Sequence, residues 1–490
     1  MDSCWRKRVV TLDEEEKILR DKELGEEFSN ANNDDEGGNI CQKRDHNICS
    51  QVILEILLRC FPGIQAIYIL LRSKNGVGPQ ERKKEIFSRP LFNELKKINP
   101  SALEKVHVVA GDIALPNMGI SEEDLLKVTE NVTIVFHCAA CISFFRPLRF
   151  IFLQNVAGVN NAIELCKKLK YCEVFVDTST AYVNCNHDLI LEERIYGIPY
   201  PAERFMEYFE KGEDEALERI HSEIQPEFPN HYVFCKCISE NLIREKCSDI
   251  STVIARPALI AATWKGPLPG YAEEYSSLVQ LILAMGKGFL KVLLAKPDVN
   301  LEIIPADIVA NAHIVAAYGV ANGRYSSPFV VNLVPYGLPI LFSNMVPMLI
   351  KLIHKYPVPN AFRYTNHVWI VDSKLEKIFL SIFEHYIPAA GMDLMLILQG
   401  KKPKIFSLYR FLDKIMEVSA PFITRRVEFA SENFRDLRNA VSPEKAEELY
   451  TELEGLKLKE LLDNLNTGAP QYDWTKDKKT KDQRSKLIYR

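Results

Sequence analysis

The chain has no run of the ~18–20 apolar residues needed to span a bilayer. The nearest stretch, Pro339 to Ile350, is broken by Ser343, Asn344 and Pro347. Residues 1–50 lack the apolar segment of a secretory signal, and the terminal Lys486-Leu487-Ile488-Tyr489-Arg490 is not a peroxisomal Ser-Lys-Leu signal. No cysteine follows Cys247, and the 12 up to and including it show no repeated pairing framework, which implies a reduced intracellular compartment. Cys138 and Cys141 form one CxxC with no second pair, so strand-end packing is preferred over zinc or redox chemistry. Positive charge is not in excess either. The net charge of -4 and pI near 6.3 argue against a nucleic-acid partner.

What is present is globular. A chain of 490 residues with 47% hydrophobic and 26% charged residues has room for two or three domains. Residues 1–47 are polar, charge-dense and acidic around Asp34-Asp35-Glu36, and read as a divergent N-terminus, disordered apart from a charged helix over 12–28. Order is expected to start with an amphipathic helix over 51–59, ended by Phe61-Pro62-Gly63. A regular alternation follows. Strands are expected at 66–71, 106–110, 132–137, 174–178 and 252–255. Helices are expected at 82–99, 121–128 with Ser121 as cap, 156–169 and 232–247. Repeated β-α-β units with apolar strands imply a Rossmann-type α/β fold, a doubly wound parallel sheet whose ligands bind beyond the carboxyl ends of the strands. Past about residue 340 the strand signals fade, which predicts a mainly helical C-terminal domain. Ser442-Pro443-Glu444 reads as a helix start. The domain reading is 48–335 for the cofactor-binding unit, 340–465 for the helical unit and 466–490 for a lysine-rich polar tail.

The chemistry centres on Tyr232 and Lys236. At i and i+4 they share a helix face, and a cation beside a phenol lowers its pKa and makes it a usable proton donor. Thr180, beyond the 174–178 strand, is the expected catalytic hydroxyl, with Ser179 left to ordinary capping. His137 is read as structural. Arg72 at the second strand end is basic, as in sites that select the 2′-phosphate of NADP. Asp112 and Ile113 follow the third strand, where the carboxylate could accept from an adenine amine. Small Ala139 and Ala140 follow the fourth, where a cofactor backbone must come close. Arg256 and Pro257, after the sixth, are placed near the nicotinamide.

Together these residues resemble extended short-chain dehydrogenase/reductases, and specifically the alcohol-forming fatty acyl-CoA reductases, from about Gln51 to Ala440. The resemblance is carried by Ile67 to Arg72, Gly111-Asp112, Phe136 to Ala140, Asn155-Val156-Ala157-Gly158, Val176 to Tyr182, Pro229 to Tyr232, Arg256 to Lys265 and Ile304 to Asn311. In the C-terminal domain it rests on His385 to Ala389 and the Phe429, Asn433, Leu437 spacing. It implies NADPH as cofactor and a long-chain fatty acyl-CoA as substrate, reduced through an aldehyde to a primary alcohol with release of CoA. It also implies that Tyr232 donates the proton, that Lys236 tunes it and holds the ribose, that Thr180 orients the carbonyl, and that Asn155 belongs to the cofactor site. The 50 or so residues between Thr180 and Tyr232 match the family's insertion, with a helix over 203–223. A peroxisomal or endoplasmic-reticulum membrane surface is the expected location.

The chain departs from the family at one place above all. No glycine lies between Gly38 and Gly63, where a glycine-rich loop should let the pyrophosphate reach a helix N-terminus. No first strand is recognisable before Gln51, and Asp45 is an acid near an anionic ligand. The segment reads as an erroneous or alternative exon joined to a normal enzyme body. The alternative is a catalytically impaired or non-catalytic lipid- or acyl-CoA-binding relative. Asp177, Val427 and Arg438 are smaller departures. The run Met392 to Leu398, followed by Lys401-Lys402, could touch a membrane surface, with core packing the preferred reading. Oligomeric state is not legible.

Overall fold

Seven short apolar runs pair into one parallel sheet: β1 (Arg8–Leu12), β2 (Ala66–Leu71), β3 (Val106–Ala110), β4 (Val132–His137), β5 (Val174–Thr178), β6 (Thr252–Pro257) and β7 (Phe329–Leu333). In this computed structural model residues 8–12, 47–74, 76–187, 190–224, 228–273, 276–358 and 361–467 are described. The spatial order is β7-β6-β5-β4-β1-β2-β3, the doubly wound arrangement expected of alternating strands and helices. Strands β2 to β5 occupy the spans expected of their apolar runs.

The first strand corrects the sequence reading. Residues 1–47 were expected to contribute no strand, yet Arg8–Leu12 lies at the centre of the sheet. It pairs with β2 from Arg8↔Ala66 to Leu12↔Leu70, and with β4 as far as Leu12↔His137. Its sequence is short and flanked by Arg6-Lys7 and Asp13-Glu14, so composition hid it. A slot with ladder partners on both sides outweighs that composition. Residues 13–46, with most of the expected 12–28 helix and Asp45, lie outside the described residues, as does the tail beyond 467.

Helix α1 (Ile48–Cys60) begins at Asn47, whose side chain accepts from the Cys49 N–H. It was expected to be amphipathic, but every position except Arg59 is buried. It packs against α4 (Ala306–Ala321) under the sheet, and Glu55 is held at 3.0 Å by Arg59 one turn on. Helix α2 (Gly158–Lys168) follows a π-helical turn over Leu153–Ala157. Helix α3 (His231–Lys246) is capped by Asn230, which accepts from the Val233 N–H at 3.0 Å. Two helices expected to be single are split. Pro90 breaks 82–99 into Pro79–Ser88 and Asn93–Ile98. Gly212 at φ 71° separates Ala202–Glu210 from Asp214–Ile224.

The C-terminal region contains an unusual helix. Helix α5 (Lys374–Ser381), a π turn (Ile382–Tyr386) and α6 (Ile387–Leu398) run on without a break. The buried positions are Lys377, Ser381, His385, Ala389 and Asp393, spaced by four. Four of the five are polar. Lys377 pairs with Asp413. His385 accepts from the Lys291 N–H at 3.1 Å. Asp393 accepts from the N–H groups of Lys404, Ile405 and Phe406 at 2.8–2.9 Å, so it caps α7 (Ile405–Ile423). Many of the apolar side chains point the other way: Leu375 is 79% exposed, Phe379 61% and Leu398 79%. Within 392–398, Met392 and Leu396 pack against the cluster of Ala389, Ile405 and Tyr409, while Leu394, Met395, Ile397 and Leu398 are more than half exposed, so the preferred core-packing reading holds for only part of the run. No helix among the described residues is long and apolar enough to cross a membrane.

Candidate active site

The carboxyl ends of β4 and β5 and the first turns of α3 converge on Tyr232. The Thr180 side chain is near enough to its phenol to favour the ionised form. Thr180 also caps the turn after β5, accepting from the Tyr182 N–H at 3.4 Å. Lys236, one turn along α3, is 1% exposed, and its Nζ donates to the Thr178 carbonyl at 2.7 Å. An ammonium has three hydrogens, and among the described residues Lys236 makes no second hydrogen bond. Thr180, Tyr232 and Lys236, named from the sequence, are thus brought together.

The electrostatics differ from the simple tyrosine–lysine expectation. Burial, aided by the Cys141 thiol and the Asp177 charge, raises the Tyr232 pKa, and the Thr180 hydroxyl only partly offsets this. The phenol is therefore protonated throughout the neutral range. Asp177 explains where the Lys236 charge goes. Burial alone would raise its carboxyl, but Lys236 and the His137 ring hold it below the usual carboxylate range. His137 Nδ1 lies 2.6 Å from Asp177 Oδ1, both fully buried. Beneath them His313 donates from Nδ1 to the Val309 carbonyl at 2.7 Å, so its Nε2 accepts from the Thr178 hydroxyl at 3.0 Å. Neither Asp177, Thr178 nor His313 was singled out for this role. Asp177 was noted only as a departure.

His313 gives a pH prediction. Burial pushes its pKa down from 6.5 to about 4. Below pH 6.5 the unfolded chain takes up this proton and the folded chain does not. Stability is complete above pH 6.5 and falls with acidification, by about 2 kcal/mol at pH 5. Urea midpoints at pH 7 and pH 5 measure it, and His313→Gln is expected to flatten the slope by about that amount.

The remaining residues divide between cleft and scaffold. Arg72, Ser73, Lys74, Gly111 and Asp112 line a cavity of about 390 Å³ at the ends of β2 and β3. Arg72 reaches Asp112 at 3.3 Å, and Asp112 Oδ1 accepts from the Ala114 N–H at 2.9 Å. A Cβ on Gly111 would lie 2.5 Å from the Met118 carbonyl oxygen, so only glycine keeps this turn. Ile113 is buried against Gly158. Asn155 clamps the loop after β4, accepting from the Cys141 N–H at 2.7 Å and donating to its carbonyl at 3.0 Å. It shapes the Ala139–Ala140 turn from behind. Ala139 is buried and Ala140 partly exposed.

Arg256 is not brought to the cleft. Its guanidinium donates to Glu240 at 2.8 and 2.5 Å, and to the Glu192 and Arg194 carbonyls at 3.1 and 2.8 Å. Ser179 donates to the same Glu240 at 2.6 Å, which agrees with its reading as structural. Pro257 ends β6 beside Leu333.

An aromatic lane, not anticipated from the sequence, leads away from Tyr232. Phe144 sits 6.0 Å from the Tyr232 ring and stacks on Phe422 at 6.0 Å. Phe422 meets Tyr182 at 5.1 Å, and Phe145 meets Phe411 at 6.1 Å. Phe411 and Phe422 both belong to α7. Helix and site are hundreds of residues apart in places, so no local spacing could have announced this.

The donor set fits a nicotinamide dinucleotide at two ends. Arg72, Lys74 and Asp112 border a cleft sized for the adenosine half. Lys236 and the small Ala139–Ala140 turn face the other end. The sequence stretch before Asn47, where the glycine-rich loop was expected, lies outside the described residues.

Comparison with known proteins agrees with this geometry. Residues 49–313 match an NAD-binding family described as male sterility protein, and residues 384–475 match a second family of the same description, its sterile domain. Fatty acyl-CoA reductase 1 of Xenopus laevis is 29% identical over 438 residues, 89% of this chain and 85% of that protein. Fatty acyl-CoA reductase 2 of Mus musculus is 29% identical, covering 86% and 82%. Among solved structures, the terminal R domain of the myxalamid PKS-NRPS pathway aligns with a TM-score of 0.59 at 15% identity, covering 96% of this chain and 92% of that one. The reductase domain of a Mycobacterium tuberculosis non-ribosomal peptide synthetase gives 0.57, also at 15%. These two show a shared reductase-type Rossmann fold.

Proposed function

Because this chain belongs to the male sterility protein family of fatty acyl-CoA reductases, an oxidoreductase family with a nicotinamide cofactor, we propose that it uses NADPH to convert a long-chain fatty acyl-CoA, through the aldehyde, to the primary alcohol. The observation that carries this is the Thr180–Tyr232 hydroxyl pair above Lys236 at the end of β5. In this reading the acyl carbonyl oxygen lies between the two hydroxyls. Thr180 orients it. Tyr232, kept protonated by its burial, gives its proton to the oxygen as negative charge develops there. The bound cofactor supplies the hydride. Lys236, anchored on the Thr178 carbonyl, keeps its other hydrogens for the ribose hydroxyls. The aromatic lane from Phe144 to Phe422 takes the acyl chain. Family likeness supports work at the surface of a peroxisomal or endoplasmic-reticulum membrane.

The choice of NADPH rests on Arg72 and Lys74 at the cleft. Long-chain acyl-CoA with NADPH is expected to give fatty alcohol, read by gas chromatography. Arg72→Ala is expected to raise the NADPH KM about 10–100-fold, as loss of a charge-assisted bond would, and to leave the NADH KM unchanged. The second reading, a lipid-binding relative, is favoured by one observation. The Cys49 N–H at the start of α1 is held by Asn47, and so is not open to a phosphate. Tight NADPH binding by fluorescence titration overturns it.

A further inference from the structure

We propose that the outer face of the continuous helix over residues 374–398 docks on a membrane of anionic lipid and seats in it without spanning it. The proposal deepens the membrane location given above by naming the surface and the lipid class. The helix is reversed relative to a soluble one. Its inner face carries Lys377, Ser381, His385 and Asp393, all buried. Its outer face carries Leu375, Ile378 and Phe379 from α5, and Ile387, Leu394 and Leu398 from α6, between 54% and 79% exposed. Burying amines and carboxylates while presenting leucines is costly against water. It is favourable when the outside is lipid.

Size supports a real interface. Fully covering a large side chain removes about 150–250 Å². Six at more than half exposure leave on the order of 600 Å² along one helix, at the upper end of what a soluble monomer shows. At 25 residues the helix is about 37 Å long, but Lys374, Glu376, Lys377, Glu384 and Asp393 interrupt it. It lies in the interface.

Charge identifies the lipid. Between Asp393 and Asp413 the chain has Lys401, Lys402, Lys404 and Arg410 and no acid. The three lysines follow directly on Gly400, which ends the helix at φ 71°. Basic residues beside an apolar face are the complement of an anionic headgroup layer. The face also connects to the chemistry. The buried Asp393 of α6 caps the start of α7, and α7 reaches Phe422 at the aromatic lane. Phe406 to Phe422 spans about 24 Å of helix, giving an acyl chain an apolar route from lipid to Tyr232.

The test uses the full chain, without substrate or cofactor, and sedimentation with vesicles of phosphatidylcholine alone or with phosphatidylserine. Wild type is expected to sediment with the mixed vesicles. The triple variant Leu375→Glu/Phe379→Glu/Leu398→Glu is expected to lose binding by at least about tenfold with unchanged circular dichroism. Lys401→Glu/Lys402→Glu is expected to lose the preference for phosphatidylserine. Should the triple variant misfold, Leu398→Glu alone carries the comparison. Three results overturn the proposal. Wild type may bind neither vesicle. The triple variant may bind like wild type. Or wild type may elute as a dimer that the triple variant dissolves, neither binding lipid, in which case a second copy covers the face. Vesicle binding is read without turnover, so its failure is separable from failure of the reductase reading.

Discussion

Tyr232→Phe is expected to lower kcat for acyl-CoA reduction by about 10²–10⁴-fold, with KM and thermal stability close to wild type. The substitution removes one hydroxyl and no packing. The ring keeps its place against Phe144, and Thr180 keeps its own cap on the Tyr182 N–H. What is lost is the protonated phenol that the site places beside Thr180. Because burial raises the phenol pKa, the donor form persists across the neutral range, and a falling rate is expected only on the alkaline side. Thr180→Val, which removes orientation and keeps the proton source, is expected to cost less. Single-turnover rates with saturating NADPH and acyl-CoA measure both. A Tyr232→Phe rate within twofold of wild type would remove Tyr232 from the chemistry.

The largest stability effect is expected at Glu240. Its carboxylate receives two guanidinium bonds from Arg256 and one hydroxyl bond from Ser179, all out of contact with water. The cluster ties α3 to the ends of β5 and β6, directly behind the candidate active site. Glu240→Ala leaves the Arg256 charge buried and unpaired, which costs about 3–5 kcal/mol. The urea midpoint is expected to fall accordingly with an unchanged slope. Glu240→Met combined with Arg256→Met should recover part of the loss, because replacing both charges avoids the stranded one. A single-variant loss below about 1 kcal/mol would show that water reaches the pair.

Much of this arrangement is legible in the sequence, for reasons that differ by element. Strands β2 to β5 are short apolar runs between turn residues, and their local signal matches their buried place. The Tyr232–Lys236 spacing survives because a helix fixes it. The sequence did not reveal β1, whose five residues become a strand only through partners at 66–70 and 132–137. Nor did it reveal that Arg256 turns away from the cleft, since Glu240 is 16 residues earlier and their meeting is a tertiary fact. The reversed helix was half visible. Polar residues at 377, 381, 385 and 393 keep a four-residue spacing, but which side faces inward depends on Asp413, Lys291 and the start of α7. His137, read as structural, meets Asp177, a partner on the neighbouring strand that no local spacing announces.

The position of β1 has a consequence for how the molecule assembles. Its partners β2 and β4 flank a gap that this five-residue strand must fill, and 34 residues of sequence (13–46) separate it from the start of α1. Pairing segments that far apart in sequence costs only about 1–2 kcal/mol more in chain entropy than closing a tight turn, so the equilibrium barely notices. The pathway does. Until the strand arrives, β2 and β4 present two open parallel edges, the kind of surface that recruits a neighbouring chain. In a crowded cell, the fate of a newly made copy turns on whether its own β1 reaches that gap before another molecule's edge does.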